Sequence, residues 1–82
     1  SAQAVQEAVC THFGVTEEDL VSDRRDRRTC LARQTAMYLL RELSRKSLVE
    51  IGELFGGKAH STVLYACAKL EREMRANAEL AS

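Results

Sequence analysis

The chain has 82 residues, of which 45% are hydrophobic and 29% charged, with no proline and four glycines. This composition excludes a disordered or β-rich chain and predicts one compact all-α domain over residues 1–82. No apolar run reaches the length of a membrane span and no signal peptide is visible, so we expect a cytoplasmic protein without a membrane partner.

The zero net charge conceals an uneven distribution along the chain. Residues 1–23 carry a net charge of −5, residues 24–46 carry +6 and residues 47–82 carry −1. Nucleic-acid binding depends on the local electrostatic field at the contact surface. The basic middle block is therefore compatible with a nucleic-acid partner despite the zero net charge. A neutral domain is expected to bind nonspecific DNA weakly and to depend on specific contacts.

Cysteines and histidines do not indicate a disulfide or a metal site. Cys10, Cys30 and Cys67 are odd in number and lack the close pairing of a zinc ribbon or a redox motif. His12 is close to Cys10, but His60 is far along the chain, which is not normal ligand spacing. We expect reduced, mostly buried thiols and no metal.

The first predicted element is an amphipathic helix over residues 4–13. Its apolar residues repeat at helical spacing and are Val5, Ala8, Val9 and Phe13. Gly14 can end this helix, and Thr16 can cap a short helical turn that begins with acids at 17–19. These carboxylates are interpreted as a solvated helix start, because no nucleophile, base or metal set lies nearby.

A basic loop is predicted over residues 22–28, in which arginine fills four of five successive positions. These are Arg24, Arg25, Arg27 and Arg28. Arginine supplies planar donors and inserts into narrow, electronegative grooves, so this density favours phosphate or minor-groove contact. The alternative is a solvated charge run paired with nearby acids. A long central helix, predicted as the longest, follows over residues 29–43 and is expected to be widely buried.

Residues 47–74 predict a helix-turn-helix. Ser47 and Glu50 have capping-box spacing, and apolar residues follow at helical spacing. Gly56-Gly57 can adopt the positive φ of a helix end. The second helix then begins with the polar stretch 58–62, and that end of such a helix projects into the major groove. The alternative is an ordinary polar turn and helix cap.

Several segments match the pattern of one known family. They are Phe13-Gly14-Val15-Thr16, Asp19-Leu20, Ala32-Arg33-Gln34, Ala36-Met37-Tyr38-Leu39, Arg41-Glu42-Leu43, Ser47-Leu48, Glu50-Ile51-Gly52 and, most specific, residues 55–67. The last segment is similar to a signature of two glycines, a base, Asp-His-Thr-Thr-Val and a hydrophobic continuation. The chain resembles, over nearly its whole length, the C-terminal DNA-binding domain of the bacterial chromosomal replication initiator DnaA.

The resemblance implies double-stranded DNA as the partner. A helix that begins near Ala59 would enter the major groove of a DnaA box at the replication origin, and Arg25 would reach the adjacent minor groove. The residues near the helix start would contact bases or neighbouring phosphates, while Arg33 and Gln34 would hold the DNA backbone. The complete predicted DNA-binding set is Arg25, Arg27, Arg33, Gln34, Lys58, Ala59, His60, Ser61 and Thr62.

Three departures from the family pattern bear on sequence preference. Ala59 stands where the family has Asp, so an acceptor for a cytosine amino group is missing, at a cost of about 1 to 3 kcal/mol in discrimination. Leu31 and Ala32 replace a basic residue and a proline. Ser61 replaces Thr and keeps only the hydroxyl.

Other functions remain open at this stage. The module could belong to a transposase-like or regulatory protein with another DNA target, or it could be a protein-interaction module. An enzyme is not expected, because no nucleophile and base stand at a catalytic spacing and no P-loop is present. We expect no small-molecule substrate and no cofactor, with ATP bound only by a separate ATPase domain of the parent protein. The isolated domain is expected to be monomeric, and the protein cytoplasmic and nucleoid-associated.

Overall fold

The computed structural model describes residues 1–81, and in that range the chain forms five α-helices and no strand. The helices are α1 (Ala2–Phe13), α2 (Glu17–Val21), α3 (Arg27–Ser44), α4 (Leu48–Leu54) and α5 (His60–Ala81). The predicted all-α class is confirmed, and α4 and α5 are the two helices of the predicted helix-turn-helix. Ser82, the last residue of the predicted domain, lies outside the described residues.

Two predictions about the middle of the chain are wrong. The basic loop ends at residue 26 rather than 28, because the Asp26 carboxylate accepts from the Thr29 amide at 3.1 Å and thereby starts α3. Arg27 and Arg28 therefore form the first turn of a helix. The longest helix is α5, with 22 residues, rather than the central helix α3, with 18.

Local signals fix the boundaries of α4. Ser47 and Glu50 form the predicted capping box, with reciprocal hydrogen bonds of 3.1 and 2.9 Å. Gly56 and Gly57 both have positive φ, so the chain reverses directly after α4. A Cβ on buried Gly52 would collide with the carbonyl oxygen of Lys58, and only glycine lets the turn pass so close.

The hydrophobic core is organised around α3, which packs against each of the other four helices. The largest fully buried apolar side chains come from α2, α3, α4, the following turn and α5. They are Leu20, Met37, Leu40, Ile51, Phe55 and Val63. Residues 71–81 of α5 are all exposed, so the last helix extends past the core. In the described range, no helix combines the length and apolar character needed to cross a membrane.

Candidate nucleic-acid interface

The start of α5 presents its side chains to solvent. Ala59 immediately precedes the helix, and His60, Ser61 and Thr62 form its first turn. All four are exposed, whereas Val63 behind them is fully buried. The Ala59 carbonyl accepts from the amides of Thr62 and Val63 at 3.0 and 3.3 Å. The turn is thus fixed to the core while its outer face stays available for contact.

Within residues 1–81, no side chain caps the first amides of α5. Side-chain oxygens of Ser1, Thr16, Asp26 and Ser47 accept from the first turns of α1 to α4. Ala59 holds the equivalent position of α5 and has no side-chain oxygen. Uncapped amides at a helix N-terminus carry partial positive charge and attract phosphate or other acceptors. This end of α5 therefore suits an anionic partner.

The basic loop, residues 22–26, contains one paired and one unpaired arginine. Arg24 forms ion pairs with Asp19 at 3.3 Å and with Asp26 at 3.0 Å. Arg25 is exposed, and within residues 1–81 its side chain has no hydrogen-bond or ion-pair partner. The alternative of a self-paired charge run thus describes Arg24 but not Arg25.

The two carboxylates beside Arg24 are held in the ionised form. The Thr16 amide donates to Asp19 at 3.1 Å, and this hydrogen bond is the main cause that lowers the pKa of Asp19. The Thr29 amide has the same effect on the pKa of Asp26. Arg24 lowers both pKa values further. The positive charge of Arg24 is therefore partly balanced within the protein.

Arg33 points into the domain rather than to solvent. It is 8% exposed. Its Nε donates to the Leu20 carbonyl at 2.9 Å, Nη1 to the Arg24 carbonyl at 3.2 Å and Nη2 to the Asp19 carbonyl at 3.2 Å. The DNA-backbone role implied by the resemblance stays a prediction for this residue.

Lys58, in the turn between α4 and α5, also bonds to the chain itself. Its Nζ donates to the Phe55 carbonyl at 3.0 Å and to the Val21 carbonyl at 3.5 Å. It also pairs with the Asp23 carboxylate at 3.2 Å, and the side chain is only 18% exposed. The contact of Lys58 with bases or phosphates likewise stays a prediction.

The two predicted residues on the first half of α3 differ in their surroundings. Arg27 is exposed in the first turn. Gln34 is half-buried, and its Oε1 accepts from Lys69 Nζ of α5 at 2.9 Å. Gln34 therefore belongs to the contact between α3 and α5 as well as to the candidate site.

A cavity of about 310 Å³ separates the basic loop from α5. The predicted site residues in its wall are Arg25, Arg33, Gln34, Lys58 and Thr62. Arg27, Ala59, His60 and Ser61 lie outside this wall. Tyr65 also lines the cavity and is 61% exposed, but sequence reasoning did not assign it to the site. Its position four residues after Ser61, on the same helix face, is the signal that could have found it.

The exposed helix start and the unpaired arginine beside it define a helix-turn-helix domain of the DNA-binding type. In the described part of the chain, no group of three or more His, Cys, Asp or Glu side chains could hold a metal ion. The chain belongs to the family described as the bacterial DnaA protein helix-turn-helix, whose model matches residues 2–70. The resemblance found in the sequence is thereby confirmed.

The curated relatives carry a common description. Chromosomal replication initiator protein DnaA of Chloroflexus aurantiacus is 44% identical over 82 residues, which are 100% of this chain and 17% of that protein. DnaA of Thermus thermophilus is 49% identical over 72 residues, or 88% of this chain and 16% of the relative. DnaA of Bartonella quintana is 48% identical over 69 residues, or 84% and 14%. The chain thus spans only about a sixth of the length of these relatives.

Proposed function

We propose that this domain recognises DnaA boxes in double-stranded DNA at a replication origin. The observation that carries the proposal is the placement of the exposed start of α5 beside the unpaired Arg25, across a cavity of about 310 Å³. A helix N-terminus suits the major groove, and a free arginine suits a narrow minor groove next to it. Membership of the DnaA helix-turn-helix family supports this assignment.

The predicted residues take three kinds of role in this proposal. His60, Ser61 and Thr62 contact base edges, since imidazole and hydroxyl groups can donate and accept and the Thr62 methyl can pack on a thymine methyl. Arg25 enters the minor groove. Arg27, exposed in the first turn of α3, meets a phosphate.

The remaining properties of the parent protein are part of the same proposal. The relatives are initiators roughly six times as long as this chain, so we assign ATP binding to a separate ATPase domain. The domain itself carries out no catalysis and needs no cofactor. It is a monomer in isolation, and the protein acts in the cytoplasm on the nucleoid.

A second DNA target is favoured by one specific residue. Ala59 has no acceptor for a cytosine amino group, so the domain discriminates less strongly at that base pair than a relative with Asp would. The same module could then serve a regulatory protein that uses a different operator.

A fluorescence-anisotropy titration with a DnaA-box duplex and a scrambled duplex of equal composition tests the proposal. Measurements at about 50 and 200 mM salt separate phosphate contacts, which weaken with salt, from base contacts. We expect the box to bind more tightly at both concentrations. Equal affinity for the two duplexes at the higher salt would contradict box recognition, and a selection from random duplexes would then identify the operator.

A further inference from the structure

The backbone of the segment before and through the basic loop is held from inside by two cationic side chains. The carbonyls of residues 19, 20 and 24 accept from Arg33, and the carbonyl of residue 21 accepts from Lys58. Both side chains are largely withdrawn from solvent. We propose that Arg33 and Lys58 are positioning residues that fix the basic loop for minor-groove binding, and that neither acts chiefly through a DNA contact of its own.

The fork of Arg33 accounts for the shape of the loop. A buried guanidinium is stable only when its donors are satisfied, and three of its N–H groups meet carbonyl oxygens on both sides of residues 21–23. Rotation of this side chain toward a phosphate would break three hydrogen bonds. It would also leave three carbonyls without this donor, so the inward position is strongly favoured.

The Arg24 carbonyl connects this fork to the minor-groove arginine. That oxygen belongs to the planar peptide unit that joins Arg24 to Arg25. It accepts from Arg33 Nη1 at 3.2 Å and from Cys30 Sγ at 3.8 Å. Because the peptide plane is held, the amide nitrogen and Cα of Arg25 are held as well, and this limits the positions that the Arg25 side chain can reach.

Lys58 fixes the basic loop relative to α5. It lies in the turn that precedes α5, yet it reaches the Val21 carbonyl at the end of α2 and the Asp23 carboxylate in the loop. A Cβ on Gly56 would lie 2.6 Å from the same Val21 oxygen, so the turn and the end of α2 are already in close contact. The helix start and Arg25 can therefore keep a constant separation when DNA binds.

This inference rests on the proposed function, because a fixed loop matters only if Arg25 binds a groove. A loop ordered before binding loses less conformational entropy in the complex, which raises affinity without any new contact. Positioning and direct contact predict different coupling between Arg33 and Arg25. If Arg33 positions the loop, the loss of DNA affinity on replacing Arg33 depends on whether Arg25 is present. If Arg33 makes its own phosphate contact, that loss is the same with or without Arg25.

A double-mutant cycle in the DnaA-box titration tests this difference. Arg33→Lys keeps the positive charge but cannot span three carbonyls. We expect it to weaken binding about tenfold when Arg25 is present and less than about twofold in an Arg25→Ala background. A tenfold loss in both backgrounds would overturn the positioning role. Lys58→Met, in the same cycle, keeps the proposal testable if Arg33→Lys fails to fold in a urea titration.

A measurement without DNA separates this inference from the proposed function. The ¹⁵N–¹H heteronuclear NOE reports picosecond-to-nanosecond motion, and we expect it to fall across residues 22–26 in Arg33→Lys and Lys58→Met. Arg72→Lys, on the exposed end of α5, is the matched control and should leave these values unchanged. Unchanged loop values in the first two variants would overturn the inference. Loss of box preference in the unmodified domain would instead contradict the proposed function.

Discussion

Ala59→Asp should both stabilise the domain and sharpen its sequence preference. The structure places residue 59 directly before α5, where an Asp carboxylate can accept from an amide of the first turn. Adding such a cap contributes about 0.5 to 2 kcal/mol, and a negative charge at the helix N-terminus acts in the same direction. With a urea dependence of about 1 kcal/mol per molar for a small domain, the unfolding midpoint should rise by about 0.5 to 2 M.

Equilibrium urea unfolding followed by circular dichroism measures this shift. Ala59→Asn is the matched control, because Asn caps about as well as Asp but adds no charge. On DNA, the Asp variant should increase the difference in binding free energy between box and scrambled duplex by about 1 to 3 kcal/mol. A midpoint that stays constant or falls in both variants would refute the assigned cap position. A rise in stability with an unchanged affinity ratio would refute only the missing base contact.

Three further predictions concern the loop, the turn and acid stability. Arg25→Ala should weaken binding by about 1 to 3 kcal/mol, most at boxes with a narrow A/T-rich minor groove, and equal loss at all flanking sequences would contradict groove insertion. Gly52→Ala should lower the free energy of unfolding by about 1 to 3 kcal/mol, because the new Cβ meets the Lys58 carbonyl in the turn. Gly57→Ala, at a position with positive φ but open space around it, should lower the free energy of unfolding by less. The folded-state pKa of Asp26 lies below its ordinary value of 3.8, so the stability it contributes is present above that pH and is lost as pH falls through the folded pKa. Asp26→Ser keeps a cap that does not titrate. Its urea midpoint should therefore fall less between pH 5 and pH 2 than that of the unmodified domain, and an identical fall would contradict this assignment.

Local signals in the sequence were sufficient for most of the fold. The Ser47–Glu50 spacing and Gly56-Gly57 each act within a few residues, and the structure confirms the capping box and the positive φ values. A local signal of the same kind also marks the true end of the basic loop. Asp26 stands three residues before Thr29, which is a capping spacing, but the arginine density outweighed it in the prediction.

The surroundings of Arg33 could not be predicted in the same way. A helical pattern places residue 33 near the polar edge of α3, where a phosphate contact is a natural interpretation. Its actual partners are backbone carbonyls 9 to 14 residues earlier in the chain. Every residue has a carbonyl, so no side-chain pattern marks these acceptors. Only the packing of α2 against α3 brings them within reach.

The ion pairs beside the candidate interface affect how the domain would search a chromosome. Arg24 is paired with Asp19 and Asp26, and Lys58 with Asp23, so these cations already have counter-charges from the same chain. These paired side chains neutralise fewer phosphates on arbitrary DNA. Fewer counterions are therefore released from the duplex, and the gain in binding free energy is small. Visits to nonspecific sequence should be brief, and sliding along the duplex short. Such a domain would locate its sites mainly by repeated three-dimensional encounters.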